Sequence, residues 1–246
     1  MSSEPSNNMT STFPDTMRAW TWNHRGPPSS VLTLRSDIPT PKPSILAPGE
    51  VLVKVSHVAL NPGFLIMITH LPHLTSAPWI PEIEFCGTVV AVRGTESSSS
   101  TAIHFQVGDQ ILGSKDLGSV FRQGGVLADY VVCSVDTIVP QPQGMPVVEA
   151  AGLTAVGCTA IQAVDLAGLK RGDKVLITGG SGGLGTMLVQ VCRSVVGSSG
   201  IVVATCSGPN IPMVKDLGAD EVCRLRRHVP VTVAHCWIRT TKSASR

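Results

Sequence analysis

Three glycines with the spacing G-x-G-x-x-G, Gly180, Gly182 and Gly185, lie between two apolar segments in the second half of the chain. In such a turn the first glycine permits a tight bend and the second lets the backbone approach a phosphate. The third lets the following helix pack closely. The free N–H groups and the positive dipole end of that helix then face the anion. The motif predicts a dinucleotide site formed by Gly180, Ser181, Gly182, Gly183, Leu184 and Gly185.

The sequence on either side supports this interpretation, because the spacing alone is a weak signal. Lys174–Thr178 contains the continuous apolar run Val175-Leu176-Ile177 and predicts a buried parallel strand. A helix is predicted from about Gly183 to Val196, and Gly200–Thr205 predicts a second buried strand. Strand, helix and strand within about 32 residues form a βαβ unit. A second helix is predicted over Ile211–Leu217, and an ordinary glycine-rich turn remains the alternative.

The end of the second predicted strand indicates which cofactor would bind. An NAD site usually has an acidic residue there to hold the ribose 2′-hydroxyl. This chain has Thr205-Cys206-Ser207-Gly208 instead, so no carboxylate repels a 2′-phosphate and Ser207 can donate to it. Lys215 on the following helix is a second candidate ligand, although a solvated surface lysine is an equal alternative. The pattern predicts NADPH.

The first half of the chain has a different character. Short runs rich in valine and isoleucine, bounded by proline, glycine and aspartate, predict strands at Val51–Val58, Phe85–Val92 and Val126–Val139. They indicate a compact all-β domain. The pattern becomes helical over Val147–Ala167. Residues 1–16, rich in serine, asparagine, proline and threonine, are expected to be disordered.

Composition excludes several classes of protein. No apolar run approaches the length of a membrane span, and no secretory signal is expected, because the N-terminus lacks a charged start followed by an apolar stretch. Seven scattered cysteines without a C-x-x-C pair indicate reduced thiols in the cytoplasm. Six basic residues and no acids follow Glu221, but they lack aromatic neighbours and a nucleic-acid motif. We therefore expect neither nucleic acid nor membrane as a partner.

Short motifs occur in a constant order along most of the chain. They are Val51–Lys54, Ala59–Pro62, Gly87–Val90, Gly108–Asp109, Gly124–Gly125 with Val131, Glu149–Ala151, Gly172–Val175, the glycine turn with Gln190, and Leu217–Asp220. Together they resemble the medium-chain dehydrogenase/reductase superfamily, in its zinc-free quinone oxidoreductase and enoyl reductase branch. The resemblance covers about Met17 to Val222. It implies a GroES-like β domain followed by a Rossmann domain, with the active site in the cleft between them.

The resemblance divides the chain into domains and indicates how much of the Rossmann sheet it can form. The fold class is α/β plus β, with a GroES-like domain at 17–145 and a partial Rossmann domain, a doubly wound parallel sheet, at 146–222. The 73 residues from Lys174 onwards suffice for two or three of the six usual strands. An atypical basic tail, 223–246, has no strand–helix rhythm. Dimerisation is common in the family, so a homodimer is a further expectation, although it often uses strands that this chain lacks.

No metal site is expected. Zinc-dependent members of the family carry a cysteine and a Gly-His-Glu where this chain has Leu60-Asn61 and Pro81–Glu84. Cys86 alone cannot form a three-ligand site. His70 and His73 lie in a proline-rich segment and are interpreted as a solvated pair.

The remaining site residues follow from the resemblance. It implies Asn61 as the catalytic residue near the nicotinamide and Thr159 at its carboxamide. A turn cap and a helix-packing threonine are the alternatives. The implied reaction is hydride transfer from NADPH to an enone, quinone or enoyl thioester, as in secondary metabolism. The competing hypothesis is a truncated, catalytically inactive chain that binds only nucleotide or a protein partner.

Overall fold

The computed structural model describes residues 13–70, 78–93, 104–116, 118, 120 and 124–225, and the backbone of 238–241. The chain divides into two compact units, Met1–Gly152 and Leu153–Arg246. Disorder was expected over residues 1–16, of which residues 1–12 lie outside the described part of the chain. Residues 13–16 are described, and two of them are hydrogen-bonded to the fold, because Lys42 Nζ donates to Pro14 O at 3.0 Å and to Asp15 Oδ1 at 2.9 Å.

An antiparallel sheet of five strands forms the centre of the first unit, in the order β6-β3-β4-β5-β7. Its strands are β3 Glu50–Ala59, β4 Glu84–Val92, β5 Gln110–Ser114, β6 Tyr130–Ser134 and β7 Ile138–Pro140. Alternate side chains point to one face and bury Val51, Val53 and Val89 with Phe85 and Ile111. The predicted strand over Val126–Val139 is wrong in its extent, since a 3-10 turn at Val135–Thr137 separates β6 from β7.

A two-stranded sheet and helices also belong to the described part of this unit, which includes helical backbone at residues 118 and 120. The strands and α-helices with described bounds are β1 Thr16–Thr21, β2 Thr33–Pro39, α1 Pro28–Val31, α2 Pro62–His70 and α3 Val147–Ala150. The expectation of an all-β domain missed α2. Pro62 is the first residue of α2, where a backbone N–H would have no acceptor within the helix, so proline is tolerated there. Phe64 and Ile68, one turn apart, are its buried side chains, and Ile68 packs with Trp22 and Trp79.

The second unit is a four-stranded sheet with helices, in the order β10-β9-β8-β11. Its elements are α4 Thr154–Leu166, β8 Lys174–Ile177, α5 Gly183–Val196, β9 Ile201–Cys206, α6 Ile211–Asp216, β10 Glu221–Arg224 and β11 Ile238–Thr241. Strands β8, β9 and β10 are parallel, which gives the 3-2-1 half of a doubly wound sheet. Leu188, Val189 and Cys192 on α5 are fully buried in the core of this unit.

Two local expectations in this region were wrong. The helix predicted over Val147–Ala167 is interrupted at 151–153, where Gly152 disfavours helical backbone. The tail was expected to lack regular structure, yet the backbone of β11 pairs antiparallel with β8. An open strand edge can accept such a partner through backbone groups alone, without a side-chain pattern. Residues 223–225 of the tail are also described, and 226–237 and 242–246 lie outside the described residues.

No helix among the described residues is long and apolar enough to cross a membrane.

Candidate functional site

The glycine turn joins β8 to α5 and is held against the end of β9. Gly180 N–H donates to Thr205 O at 2.8 Å, and Gly179 N–H donates to Thr205 Oγ1 at 3.1 Å. The left-handed backbone lies at Gly179, with φ of 72°, and not at Gly180. Gly180 is required for another reason, because a Cβ there would lie 2.9 Å from Ala204 Cβ. The tight bend assigned to Gly180 therefore belongs to its predecessor.

Gly185 brings the first turn of α5 onto this bend. A Cβ at Gly185 would lie 2.0 Å from Gly179 O, far inside van der Waals contact. A Cβ at Gly182 would still be 3.4 Å from that oxygen, and one at Gly183 would meet nothing within 4 Å. The closest packing is thus at Gly185, while the backbone at 182–183 borders open space where a phosphate could approach.

The start of α5 offers backbone donors. Gly182 is the N-cap and has no capping side chain. The first intrahelical bond runs from Thr186 N–H to Gly182 O at 2.9 Å, so the N–H groups at 183–185 have no acceptor four residues earlier. Ser181 is half-buried in the turn, and Leu184 packs against the core of the unit. The geometry is that of an anion-binding helix terminus.

The carboxyl end of β9 carries polar and basic groups beside this turn. Ser207 is exposed, and Asn210 Nδ2 donates to Ser207 Oγ at 3.1 Å. Because Ser207 accepts that bond, its own hydroxyl proton remains available to donate. The guanidinium of Arg224 lies across Gly208, where a Cβ would meet Arg224 Nε at 2.9 Å.

Arg224 reaches this position through strand pairing. It ends β10 and is paired with Cys206 at the end of β9. The carboxyl ends of parallel strands meet at one edge of a sheet, which is where ligands bind in such folds. From the sequence alone, Arg224 is only one of the basic residues of the tail. Its position four residues after Asp220, beyond the second predicted helix, is the signal that could have found it.

Two other expected cofactor residues are exposed. Lys215 lies near the end of α6, and no hydrogen bond joins it to Ser207 in the described part of the chain. Thr159 lies on α4, and its hydroxyl donates to Ala155 O at 2.6 Å. A threonine that donates its proton within its own helix can only accept from a ligand.

Asn61 belongs to the first unit and is bound by two acidic side chains. It lies between β3 and α2, and Phe64 N–H donates to its carbonyl oxygen at 3.0 Å. Asn61 Nδ2 donates to Glu84 Oε2 at 3.0 Å and to Glu82 Oε2 at 3.4 Å. Asn61 N–H also donates to Glu82 Oε2, at 3.0 Å. The side-chain amide is therefore committed to carboxylates rather than to capping α2.

Glu82 and Glu84 are buried despite their charge, with 5% and 1% of their surface exposed. Glu82 has φ of 72°, a left-handed backbone that costs a residue with a side chain about 1–2 kcal/mol. Val126 N–H donates to Pro81 O and Glu82 O, both at 3.0 Å, and fixes this conformation. A Cβ at Gly125 would lie 2.0 Å from Ile80 O, so only glycine permits this approach.

Burial also changes the acidity of Glu82. Loss of solvent raises the pKa of its carboxyl from 4.5 to about 7, the bonds from Asn61 oppose the rise, and the charge of Glu84 adds to it. Glu82 therefore changes its charge near neutral pH. From the sequence alone, Pro81–Glu84 is only a segment without the zinc ligands of the family, and no role is predicted for Glu82.

Among the residues described in the structure, no three His, Cys, Asp or Glu side chains are grouped as a metal site requires. His73, one of the histidines considered above, lies outside that part of the chain.

Known proteins share both units. Residues 47–143 match the alcohol dehydrogenase GroES-like domain. Trans-enoyl reductase poxH of Penicillium oxalicum is 33% identical over 255 residues, which cover 92% of this chain and 64% of that protein. The quinone oxidoreductase structure from Coxiella burnetii superposes with a TM-score of 0.70 and 28% identity, over 85% of this chain and 62% of that one.

A third likeness is to mycobacterial Rv1454c, whose structure was solved in complex with NADPH. The TM-score is 0.68 at 25% identity, with 86% of this chain and 59% of that chain covered. A GroES-like β domain followed by a Rossmann-type parallel sheet defines the alcohol dehydrogenase-like class and confirms the predicted fold class. The chain belongs to the medium-chain dehydrogenase/reductase superfamily. It spans less than two thirds of the length of these three proteins.

Proposed function

We propose that this chain carries the NADPH site and the GroES-like domain of a zinc-independent oxidoreductase. Its reaction is hydride transfer to a conjugated carbonyl, such as an enone or enoyl thioester, or to a quinone. The single observation that carries the proposal is the pair Ser207 and Arg224 beside the glycine turn. The proposed site residues are Asn61, Thr159, Gly180, Ser181, Gly182, Gly183, Leu184, Gly185, Ser207, Lys215 and Arg224.

The choice of NADPH rests on charge at the end of β9. A 2′-phosphate needs donors and positive charge, whereas a ribose 2′-hydroxyl is usually held by a carboxylate. The segment 205–208 has no carboxylate, Ser207 has a hydroxyl proton to donate, and the guanidinium of Arg224 lies next to it. An arginine can form two parallel hydrogen bonds to a phosphate. The NADPH complex of mycobacterial Rv1454c supports the same choice.

The substrate class rests on the family and on the absence of zinc ligands from the sequence at the family's two metal positions. The nicotinamide supplies a hydride for the electrophilic carbon of the substrate. The names of the relatives, trans-enoyl reductase and quinone oxidoreductase, are in keeping with acceptors of this kind. Asn61 and its two acidic partners occupy the positions where zinc-dependent members of the family have ligands.

One observation favours a second function, nucleotide binding without turnover. A doubly wound sheet places a fourth parallel strand beside the first. Here the neighbour of β8 on that side is the antiparallel strand β11. A chain with this sheet edge would keep the glycine turn and Ser207 and still lack a productive nicotinamide pocket.

The decisive experiment replaces Arg224 by alanine and measures NADPH and NADH binding by fluorescence titration. Loss of a charged hydrogen-bond donor to the phosphate should weaken NADPH binding about 10- to 100-fold. NADH binding should stay within about twofold, because NADH has no 2′-phosphate. Arg171→Ala is the matched control, since Arg171 is also exposed but precedes β8 at the opposite edge of the sheet.

Turnover separates the two functions. Oxidation of NADPH by a quinone or an enone supports the reductase, whereas tight NADPH binding without oxidation of NADPH supports the second function. Equal affinity of the wild-type chain for NADH and NADPH, with no effect of Arg224→Ala, would refute the cofactor assignment.

A further inference from the structure

The side chain of Asn61 has its donors and its acceptor in different situations. Both hydrogens of Nδ2 have acceptors within the first unit, namely Glu84 Oε2 at 3.0 Å, Glu82 Oε2 at 3.4 Å and Ala59 O at 3.5 Å. Its oxygen, Oδ1, accepts no hydrogen bond from the described residues. An ionised carboxylate can only accept, so the two glutamates determine which end of the amide faces them. Asn61 is half-exposed, and its oxygen is the end left for a ligand.

The backbone of Glu82 is fixed in the position from which its carboxylate binds the Asn61 amide. Its backbone lies in the left-handed region, which favours glycine, and the N–H groups of Val126 and Leu127 fix the segment through Pro81 O and Glu82 O. Its carboxylate accepts two bonds from one residue, Asn61 N–H at 3.0 Å and Asn61 Nδ2 at 3.4 Å. A buried carboxylate on a residue with a strained backbone points to a role other than stability.

We propose that Glu82, acting with Glu84, is a positioning residue that holds the Asn61 amide so that only Oδ1 is presented to a ligand. Asn61 then accepts a hydrogen bond from a donor group of the bound ligand and does not donate one to a developing oxyanion. The inference rests on the proposed function for the identity of that ligand. The orientation of Asn61 itself does not depend on it.

The charged groups around Glu82 make this arrangement sensitive to pH. Glu84, at the start of β4, is the acidic group that raises the pKa of Glu82. A basic residue also lies close to Glu82 in the fold. The backbone N–H of Lys115 donates to the backbone oxygen of Ile83, the residue after Glu82, at 2.9 Å. With the pKa of Glu82 at about 7, its carboxylate binds the Asn61 amide most strongly above neutral pH.

The test is NMR of the Asn61 side-chain amide in the full chain, assigned by its disappearance in Asn61→Asp. In the wild type the two amide proton signals should titrate with a midpoint near pH 7. Glu82→Gln keeps an acceptor oxygen and removes the charge, so the signals should stay near their wild-type position and lose the titration. Glu82→Gly removes one of the two carboxylate acceptors and also relieves the backbone, while Glu84 Oε2 remains at 3.0 Å, so the signals should move part of the way toward those of a solvated amide. Glu149→Gln, at an exposed site on α3, is the matched control.

Kinetics with NADPH and a quinone add a functional readout. Glu82→Gly should lower kcat about tenfold or more through loss of alignment, with a smaller change in KM, and Glu82→Gln should recover most of that loss. Adding NADPH alone, then substrate, shows which ligand shifts the Asn61 signals.

Unchanged Asn61 signals in Glu82→Gly would overturn the inference, whether or not the chain turns over. Failure of the wild type to bind NADPH would instead refute the proposed function and leave the amide titration as the test of Glu82.

Discussion

The two candidate sites of this chain are built in opposite ways. The glycine turn of the second unit uses residues without side chains, and its shape follows from how closely backbone segments approach. The Asn61 cluster of the first unit consists of the side chains of Asn61, Glu82 and Glu84. Asn61 is half-buried, and the two glutamates are buried. The first presents N–H groups to an anion. The second encloses two acids, and its side-chain carbonyl oxygen, Asn61 Oδ1, accepts no hydrogen bond from the part of the chain that the structure describes.

This difference predicts different sensitivities. The glycine turn is sensitive to added side-chain volume, because a Cβ at Gly185 would overlap Gly179 O at 2.0 Å. It is insensitive to pH, because glycine has no titratable side chain. In the Asn61 cluster, charge is decisive, because Glu82 is buried and has a pKa of about 7. A substitution that adds volume should therefore affect the glycine turn most, and a substitution that removes charge should affect the Asn61 cluster most.

The largest expected effect is that of Gly185→Ala. The added methyl group would overlap Gly179 O and force α5 away from the turn, which should lower the free energy of unfolding by about 3 kcal/mol. NADPH binding should be lost with it. Urea unfolding and fluorescence titration measure the two effects.

Gly157→Ala is the control for this substitution. A Cβ at Gly157, within α4, would meet nothing within 4 Å. Alanine favours the helix over glycine, so stability should rise by about 0.5–1 kcal/mol. If Gly185→Ala left both stability and NADPH binding unchanged, the packing account of the glycine turn would be wrong.

The next effect concerns pH and the first unit. The folded chain binds the Glu82 proton more tightly than the unfolded chain, whose pKa is near the ordinary 4.5. Glu82 therefore stabilises the fold fully below pH 4.5, and this contribution is lost as pH rises through about 7. Allowing for partial screening by solvent, the loss should be about 2 kcal/mol.

Urea unfolding of the wild type and Glu82→Gln between pH 4.5 and 8 measures this contribution. The difference in unfolding free energy between the two chains should shift steadily against the wild type as pH rises from about 4.5, and it should level off above about pH 7. A difference independent of pH would show that Glu82 has an ordinary pKa.

The glycine turn could be predicted from sequence because its determinants are local. Gly180, Gly182 and Gly185 lie within six residues, and the strands and helix around them have clear apolar periods. The predicted bounds of α5, Gly183 to Val196, match the structure. Even here the sequence placed the tight bend one residue late, since glycine spacing does not identify which of Gly179 and Gly180 has positive φ.

The Asn61 cluster could not be found in this way. Asn61 and Glu82 are 21 residues apart, and they meet because β3 and β4 pair in one register, with Ala59 opposite Glu84. A shift of one residue would send these side chains to the other face. Arg224 was missed for the same reason, because its neighbour Gly208 is reached only across the β9–β10 pairing.

The smallest expected effect sharpens the comparison at the edge of the glycine turn, where one side chain does contribute. Ser207 accepts from Asn210 Nδ2 and keeps a proton to donate, so Ser207→Ala should remove a single hydrogen bond to the 2′-phosphate. The loss should be about three- to tenfold in NADPH affinity, with NADH unaffected. Asn210→Ala frees the hydroxyl to rotate without removing it, and should cost less. An equal loss for NADH and NADPH in Ser207→Ala would mean that Ser207 supports the turn itself and not the phosphate, so that the cofactor preference would rest on Arg224 alone.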